Sequence, residues 1–440
     1  MKPKLASKAA ILLLQAAGSL GAQPQPGTVL WTHETGSGII SSPAVGQGGI
    51  IFVGTSVGLI AVTNAGNSAS NLWTFPLANS PAVGSDGTIY SGGNALYAIN
   101  PNGTQKWAYG VGSGAGVPAI GVDGTVYFQS AEFLYALTDG GMLKWTSAMT
   151  FPGNYSAPAI GLDGTIYVGS SDQPKLFAFN PDGTKKWVVP LASSSVGDSP
   201  AIGGDGAIYL TSRPLFAFTP EGTNLWSNGE FTDASPVIGK DGTLYIRGFD
   251  DHSLYRVSAF GQATPTPASD SIRYTSATCP AIDAAGTVWY WASNTVWALS
   301  AAGQVLPWTQ VIDDDYLAPQ VSPVIGPNGT MYGARGSRLY AIDTGTNGPA
   351  NSAWPMYRGN ARHTGKIEKP ALQQPKKRAD GNFEFQLFSQ TGTRVTIESA
   401  TNLTGWNTLT SVVPTTVPEP IVDLTASNSP MKFYRAKGGG

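Results

Sequence analysis

One phrase recurs eight times along this 440-residue chain and constrains its fold more than any other feature. It reads SPAVGSDGTIY at Ser80, and its proline falls at residues 43, 81, 118, 158, 200, 236, 280 and 323. The spacings between these prolines run from 36 to 44 residues, with a mean of 40. Self-similarity at such a period is typical of architectures in which each repeat is one supersecondary unit.

Each repeat predicts four short strands. Asp-Gly follows the Pro-Ala-Ile segment and supplies the positive φ angles of a tight hairpin turn, and an alternating strand such as residues 165–168 comes next. A second phrase, LYAINPNGTQKW at Leu96, adds a third strand, a Gly-containing turn and a Lys-Trp strand. Four antiparallel strands per repeat are the pattern of a propeller blade. We therefore predict an all-β chain with an eight-bladed β-propeller over residues 23–365.

The ends of the repeat region predict how the ring closes. Trp31 stands in a lone Trp strand before the first repeat and would form the outer strand of blade 8. Closure of this kind protects the edges that an open stack would expose. Trp354 would then cap the ring, and the reverse assignment stays open. In blade 6, Arg256 replaces the usual Ala, residues 258–271 are predicted to be an insertion, and Tyr274 is predicted to replace the missing Trp.

Composition excludes several classes of function. The 26 Lys and Arg against 28 Asp and Glu give a net charge of −2, which argues against a nucleic-acid binder. The single cysteine, Cys279, excludes an intrachain disulfide and a multi-cysteine metal site. It stands where five other repeats have Ser, so a Ser-like structural role is expected.

The two ends of the chain differ in character from the repeats. Residues 1–22 are predicted to be a signal peptide, with three lysines before the apolar run at residues 9–17. We expect an exported protein (periplasmic, cell-surface or extracellular) that has no membrane span. Residues 366–382 form a polar linker, and residues 383–440 alternate again, which predicts a small β-sandwich-like module.

The second phrase carries a resemblance to a known family. Leu-Tyr-Ala-Ile, a turn with Gly and then Trp resemble the repeats of pyrroloquinoline-quinone-type (PQQ-like) β-propellers, over about residues 28–365. In that family the outer-strand Trp docks on the neighbouring blade, a role that the resemblance gives to Trp31, Trp73, Trp107, Trp145, Trp187, Trp226 and Trp308. The C-terminal part resembles a β module of exported proteins from Verrucomicrobia-type bacteria, at residues 395–399, 402–403, 406 and 433–435.

The family's branches suggest two different activities. Quinoprotein alcohol dehydrogenases hold pyrroloquinoline quinone with Ca²⁺ and typically carry a ring of adjacent cysteines, which a chain with one Cys cannot make. The outer-membrane β-barrel assembly lipoprotein is a scaffold without cofactor, but it needs a lipidated Cys that is missing near the predicted cleavage point. We expect no cofactor, and keep a divergent quinoprotein oxidoreductase as the alternative.

Strand order sorts the connections onto two faces, and function normally lies on the variable loops of a regular scaffold. Exposed aromatic and Arg side chains are typical interface anchors. The predicted contact residues of the variable face are Phe151, Asn154, Tyr155, Arg213, Arg247, Phe249, Trp291, Asp313, Asp315 and Tyr316.

Catalytic and metal-binding constellations are not apparent in the sequence. Three consecutive carboxylates at residues 313–315 cannot all face one Ca²⁺ ion, which needs six to eight oxygens, and His33, His252 and His363 lie in unrelated positions. We therefore predict a non-catalytic, monomeric binding scaffold for a protein or polysaccharide partner.

Overall fold

A computed structural model describes most of the repeat region and the strands of the C-terminal part. The described residues are 24–366, with gaps at 77, 113, 150–155, 162, 171–173, 193–198, 230, 232–233, 249–250, 252, 270–277, 293, 313–320 and 361. In the C-terminal part they are 371–378, 382–388, 395–400, 407–412, 419–423 and 433–438.

Eight four-stranded antiparallel sheets confirm the predicted eight-bladed propeller. From the inner to the outer strand, blade 1 comprises Ala44–Val45, Ile51–Thr55, Gly58–Val62 and Asn71–Phe75. Blade 2 comprises Ala78–Val83, Ile89–Gly93, Ala95–Ile99 and Gln105–Gly110. Blade 3 comprises Ala119–Ile120, Val126–Ser130, Phe133–Leu137 and Leu143–Ala148. Blade 4 comprises Ala159–Ile160, Ile166–Ser170, Lys175–Phe179 and Lys185–Pro190.

The second half of the ring repeats the pattern with strands of more varied length. Blade 5 comprises Ala201–Ile202, Ile208–Leu210, Leu215–Phe218 and Asn224–Asn228. Blade 6 comprises Val237–Ile238, Leu244–Arg247, Ser253–Val257 and Ala263–Ser269. Blade 7 comprises Ala281–Ile282, Val288–Ala292, Thr295–Leu299 and Gln310–Val311. Blade 8 comprises Val324–Ile325, Thr330–Arg335, Arg338–Asp343 and, from the N-terminus, Val29–Glu34. A short 3-10 turn occupies Gln47–Gly49.

The N-terminal strand closes the ring as predicted. It pairs antiparallel with the third strand of blade 8, with Trp31 opposite Ala341. The indole Nε1 of Trp31 donates to Asn64 Oδ1 of blade 1 at 3.0 Å, and Asn64 Nδ2 donates to the Tyr332 hydroxyl of blade 8 at 2.7 Å. The first and last blades are thus held together by both a shared sheet and a side-chain network.

A tryptophan between neighbouring blades is the recurring packing element. The Trp107 indole of blade 2 lies 5.8 Å from the Tyr90 ring and donates through Nε1 to the Asp139 carbonyl in a turn of blade 3, at 2.9 Å. Gly141 in that turn has φ +84°, and a Cβ there would lie 2.7 Å from the indole. Only glycine adopts this positive φ readily and also leaves room for the indole. The same donation to the next blade's turn is made by Trp73, Trp145, Trp187 and Trp226.

The seam between blades 6 and 7 replaces this tryptophan with an arginine. Thr264 lies opposite Arg256, as Trp107 lies opposite Ala98 in blade 2. Arg256 Nη1 donates to the Ala302 carbonyl in the blade 7 turn at 3.2 Å. The predicted insertion at residues 258–271 is therefore wrong, because Ala263–Ser269 is the outer strand of blade 6. Tyr274 lies outside the described residues.

The seam between blades 7 and 8 also departs from the pattern. Trp308 lies in a turn before the outer strand Gln310–Val311 and not in the strand itself, so its predicted strand position is wrong. Its backbone carbonyl lies against Gly27, where a Cβ would approach to 2.7 Å. Because the blade 7 outer strand has only two residues, it cannot hold an indole in the register that the other blades use.

The C-terminal part contains two three-stranded antiparallel sheets. One has the order Ala371–Lys377, Phe383–Phe388 and Glu419–Asp423, and the other Asn407–Val412, Val395–Ala400 and Phe433–Gly438. Val395, Ile397 and Ile421 are buried together. These strands are consistent with the predicted small β domain, although the first of them starts inside the segment predicted to be a linker.

We expect Trp107→Ala to lower the free energy of unfolding by about 3 kcal/mol, since it removes a large ring from between two blades. Trp107→Phe keeps a ring and loses the N–H donor, so it should cost about 1 kcal/mol. Leu143→Ala, at an exposed site in an equivalent outer strand, is the control and should change stability little. Urea denaturation measures all three, and an equal cost for Trp107→Phe and Trp107→Ala would contradict the assigned hydrogen bond.

A second prediction concerns the seam between blades 6 and 7. Arg256→Ala should cost about 1 kcal/mol, because it leaves the Ala302 carbonyl without its donor. Adding Thr264→Trp to that variant would restore the arrangement of the other blades and should recover the loss. The free energies of unfolding of Thr264→Trp alone and of the double variant are then compared. If the two are equal, Arg256 is not the replacement for the indole.

Candidate interaction face and channel mouth

The two faces of the propeller differ in their connections. The regular face carries the Asp-Gly turns between first and second strands and the turns between third and fourth strands. The variable face carries the loops between second and third strands and the loops that join one blade to the next. Each inner strand runs from the variable face to the regular face.

The Asp-Gly turns of blades 2, 3 and 4 share one geometry. In blade 3, Asp123 Oδ1 accepts from the Thr125 amide and Oδ2 from the Thr125 hydroxyl, while Lys144 Nζ lies 3.2 Å from Oδ2. Burial would raise the pKa of Asp123, but the bonds from Thr125 and Lys144 outweigh it and hold the pKa below its usual value. Only Gly124 has a positive φ, of +80°, so the prediction of positive φ at both turn residues is wrong.

Most of the predicted contact residues lie outside the described residues. These are Phe151, Asn154, Tyr155, Phe249, Asp313, Asp315 and Tyr316. Their predicted role on the variable face therefore stays a prediction.

The structure places the other three predicted contacts differently from one another. Arg213 lies half-buried in the loop between the second and third strands of blade 5, on the variable face. Arg247 ends the second strand of blade 6 and is 3% exposed, so it is not the loop residue that we predicted. Trp291 is likewise a strand residue, 1% exposed, with its ring 5.2 Å from Tyr340 of blade 8. It is a core residue and not an available contact.

The closing segment, which we define as residues 349–366, runs inside the central channel. Ile238 N donates to the Trp354 carbonyl at 2.7 Å, and Ile160 N donates to the Gly365 carbonyl at 2.7 Å. The segment is antiparallel to the inner strand at Ile238 and parallel at Ile160. It therefore enters the channel from the regular face and leaves by the same face.

The tip of the closing segment reverses inside the ring. Arg358 and His363 have positive φ angles of 56° and 55°, which non-glycine residues adopt rarely. Both are buried, and Arg358 Nη2 donates to the Pro118 carbonyl at 2.6 Å. The Tyr357 ring packs edge-on against His363, with centroids 5.4 Å apart. Inner-strand contacts on several blades hold this strained turn in place.

A cavity of about 140 Å³ lies above this tip, at the variable-face end of the channel, and we call it the channel mouth. Tyr357 and His363 line it from the closing segment, and residues at the starts of inner strands line it from the blades, among them Ser42, Ser80 and Ser322. Hydrogen bonds tie this ring of residues together: Ser322 N donates to Ser42 Oγ at 2.9 Å, and Cys279 N donates to Ser322 Oγ at 2.9 Å.

The pKa of His363, at the channel mouth, is strongly shifted. Burial and, to a smaller extent, the nearby Arg358 guanidinium lower the pKa of His363 to about 3. A hydrogen bond to the Pro81 backbone raises the pKa but does not outweigh them. The imidazole is therefore neutral at physiological pH. The sequence alone assigns His363 to no site, because nothing in one chain's pattern shows which residues converge on a channel axis.

The channel mouth does not fit the quinone and Ca²⁺ of the quinoprotein dehydrogenases. Ligand pockets for cofactors of that size span about 300–1,000 Å³, and the cavity is less than half of that minimum. Ca²⁺ needs carboxylate or carbonyl oxygens, and the lining residues include no Asp or Glu. Among the described residues, no group of three or more His, Cys, Asp or Glu could hold a metal ion.

Comparisons with known proteins identify a matching family model and similar solved structures. The family model described as "Outer membrane protein assembly factor BamB" matches residues 17–112 and 92–310. BamB from Moraxella catarrhalis is 16% identical, with 72% of this chain and 97% of that chain covered and a TM-score of 0.56. Virginiamycin B lyase from Staphylococcus aureus is 16% identical, with 60% and 94% covered and a TM-score of 0.46. A search of curated proteins gave no significant match.

The family matches together span residues 17–310, which is more than half of the chain. The chain therefore belongs to the PQQ-type β-propeller family whose model carries the BamB description, and the predicted family is confirmed. The likeness to solved structures, at 16% identity, shows the fold alone. Within the described part of the chain, no helix is long and apolar enough to cross a membrane.

The neutral His363 predicts a loss of stability in mild acid. Its folded pKa lies below the unfolded value of 6.5, so the unfolded chain binds the proton first and stability falls as the pH drops below 6.5. We expect wild type to lose about 2 kcal/mol relative to His363→Gln between pH 6.5 and 4.5. The raised pKa of the buried Asp283 acts in the opposite direction but is common to both proteins, so it cancels.

Urea denaturation at a series of pH values measures this difference. His33→Gln, at a site on the outer strand of blade 8, is the matched control for exchanging a histidine for glutamine. Parallel stability curves for wild type and His363→Gln would show that His363 is not held neutral in the channel.

Proposed function

We propose that the protein is an exported, non-catalytic scaffold that presents its variable face to a protein partner. The observation that carries this proposal is the asymmetry of the two faces. The regular face repeats one short turn with an internal Asp–Thr–Lys network in blades 2, 3 and 4. Repetition of a self-satisfied turn stabilises the fold and offers no specific contact, whereas loops that differ between blades can carry recognition.

The channel supports a scaffold over an enzyme. The closing segment fills the ring from the regular face, and its main chain bonds to inner strands of blades 2, 3, 4, 6 and 7. This leaves a channel mouth too small for a quinone cofactor, so no observation favours the divergent oxidoreductase. A catalytic constellation of nucleophile, base and orienting group has no counterpart among the described residues of the channel mouth.

Family membership favours protein over polysaccharide as the partner. The family model is named for an outer membrane protein assembly factor, and an assembly factor acts on other proteins. The apolar run at residues 9–17 after three lysines supports export. The single Cys, at position 279 and buried, leaves no residue for lipid attachment near the predicted cleavage point. We therefore propose a monomer outside the cytoplasm that is not lipidated there.

Site-specific photo-crosslinking in living cells tests this proposal. A photoreactive residue replaces Ile40 or Arg213 on the variable face, or Val122 or Met142 on the regular face. Ile40, Val122 and Met142 are 52%, 57% and 70% exposed, so these three positions are matched in accessibility, whereas Arg213 is half-buried. We expect a discrete protein adduct from the variable-face positions and none from the regular-face positions.

Three results would contradict the proposal. Adducts from the regular face alone would show that the partner binds the regular face and not the variable face. A protease-resistant adduct that stains for carbohydrate would identify a polysaccharide partner. Retention of the chain in the cytoplasmic fraction, with its first 22 residues uncleaved, would remove the exported role.

A further inference from the structure

We propose that the regular face carries a docking site, at the seam between blades 5 and 6, for a segment of another protein that combines a lysine with apolar side chains. We call this site the seam patch, and its residues are Asp205, Leu225, Trp226 and Phe260. It lies on the opposite face from the contact surface proposed above. The regular-face positions used to test that surface, Val122 and Met142, belong to blade 3. Either proposal can therefore hold without the other.

Blade 5 lacks the network that engages the aspartate of the Asp-Gly turn in blades 2, 3 and 4. Asp205 Oδ1 accepts from the Ala207 amide at 3.0 Å, as in the blade 3 turn described above. Alanine has no hydroxyl to offer Oδ2, and Leu225 takes the bulged outer-strand position that Lys144 holds in blade 3. The Asp205 side chain is exposed, and none of the described residues donates to its Oδ2. This carboxylate oxygen is therefore available to a partner.

Two exposed apolar side chains flank the tryptophan of this seam. Leu225 is 54% exposed and directly precedes Trp226. The indole of Trp226 donates to the Ala259 carbonyl at 2.8 Å and lies against Gly261. Phe260 stands between these two contact residues in the blade 6 turn and is 85% exposed. The corresponding tip residues of blades 2, 3, 4, 5 and 7 are Asn102, Gly140, Asp182, Glu221 and Ala302. A turn tip does not need an aromatic ring, and exposed aromatic side chains are typical interface anchors.

The combination of these features distinguishes this seam from the other four in which a tryptophan donates to the next blade's turn. Those four contacts are made by Trp73, Trp107, Trp145 and Trp187. Lysine precedes the tryptophan in blades 2, 3 and 4, and in blade 1, where Leu72 precedes it, the tip of the facing turn is Asn102. Single exposed apolar residues are ordinary on a protein surface. Two that flank one indole, beside an aspartate without a lysine, form a surface suited to a partner.

The neighbouring blades indicate the chemistry of the partner. In blades 2, 3 and 4 a lysine ammonium lies 3.2–3.4 Å from Oδ2 of the turn aspartate. A lysine of the partner can take the same place at Asp205 and form a charge-assisted hydrogen bond. Apolar side chains beside that lysine would cover Leu225 and Phe260 and remove their surface from water. An acidic segment would be repelled by Asp205, and a purely apolar one would bury the carboxylate without a partner, which is costly.

Selection from a library of random linear peptides displayed on phage, against the purified full chain, tests the proposal. We expect the enriched peptides to share a lysine next to one or more apolar residues. The affinity of the most enriched peptide is then measured by fluorescence anisotropy. Asp205→Asn and Phe260→Ala should each weaken its binding about tenfold, because one removes a charge-assisted hydrogen bond and the other removes an aromatic anchor.

A variant built on the pattern of the protein's own blades separates lysine binding from general effects. Ala207→Thr combined with Leu225→Lys installs the network of blades 2, 3 and 4 in blade 5. An internal lysine would then occupy Asp205, so this double variant should abolish peptide binding without lowering the free energy of unfolding. Two matched controls should leave binding unchanged. Asp163→Asn alters an aspartate that already holds a lysine, and Met142→Ala removes a 70% exposed apolar side chain from blade 3.

Four results would overturn the proposal. Enriched peptides without lysine, or peptides that bind the double variant as tightly as wild type, would show that the seam patch does not bind a lysine-bearing segment. A dimer in sedimentation velocity that Phe260→Ala abolishes would assign the patch to a second copy of this chain. A photoreactive residue at position 260 of the purified chain that crosslinks to residues 371–438 of the same molecule would assign it to the C-terminal part.

Discussion

The structure depends on one contact that recurs between blades, an indole ring laid on a left-handed glycine. Each blade alone is a small twisted sheet with a buried middle and no stable core. The tryptophan of one blade covers the turn of the next, where Gly103, Gly141, Gly183, Gly222 and Gly261 leave room for the ring. Its N–H binds a carbonyl in the same turn, so each contact supplies both buried area and a directional bond. Blades 2, 3, 4 and 5 each give and receive this contact, whereas Arg256 bridges blades 6 and 7 and the N-terminal strand joins blades 8 and 1.

The sequence alone predicts this scaffold well, since its signals are local. The Asp-Gly turn, the Leu-Tyr-Ala-Ile strand and the Trp recur in phase, and each reports on structure within a few residues. The exchange at the seam between blades 6 and 7 could not be predicted this way. Thr264 stands at the usual Trp position, and Arg256, at the usual Ala position on the paired strand, makes the hydrogen bond to the next blade. Only the register of the two strands reveals this exchange. Trp291 was misplaced for a related reason, because strand ends and loop starts look alike in a repeat with variable loops.

The channel was the least predictable part. Its lining draws on inner strands of several blades and on a segment more than 300 residues downstream of the first repeat. Residues 349–366 show no repeat pattern, so the sequence predicts a capping role for Trp354 but does not indicate that Trp354 and Arg358 are among the most deeply buried large side chains. The closing segment determines which half of the channel remains open. It also places a neutral histidine at the floor of that half, among serines that begin the repeats.

The path of the chain through the ring has a consequence for how this molecule can be held. The first strand starts at the regular face, where Gly27 N donates to the Asp343 carbonyl, and the closing segment leaves by that face at Lys366. Both ends of the propeller thus emerge on one side. A tether at either end, whether a fused domain or a solid support, would attach behind the ring and leave the opposite side unobstructed. The regular face is therefore the side of attachment, and the variable face is the side left free.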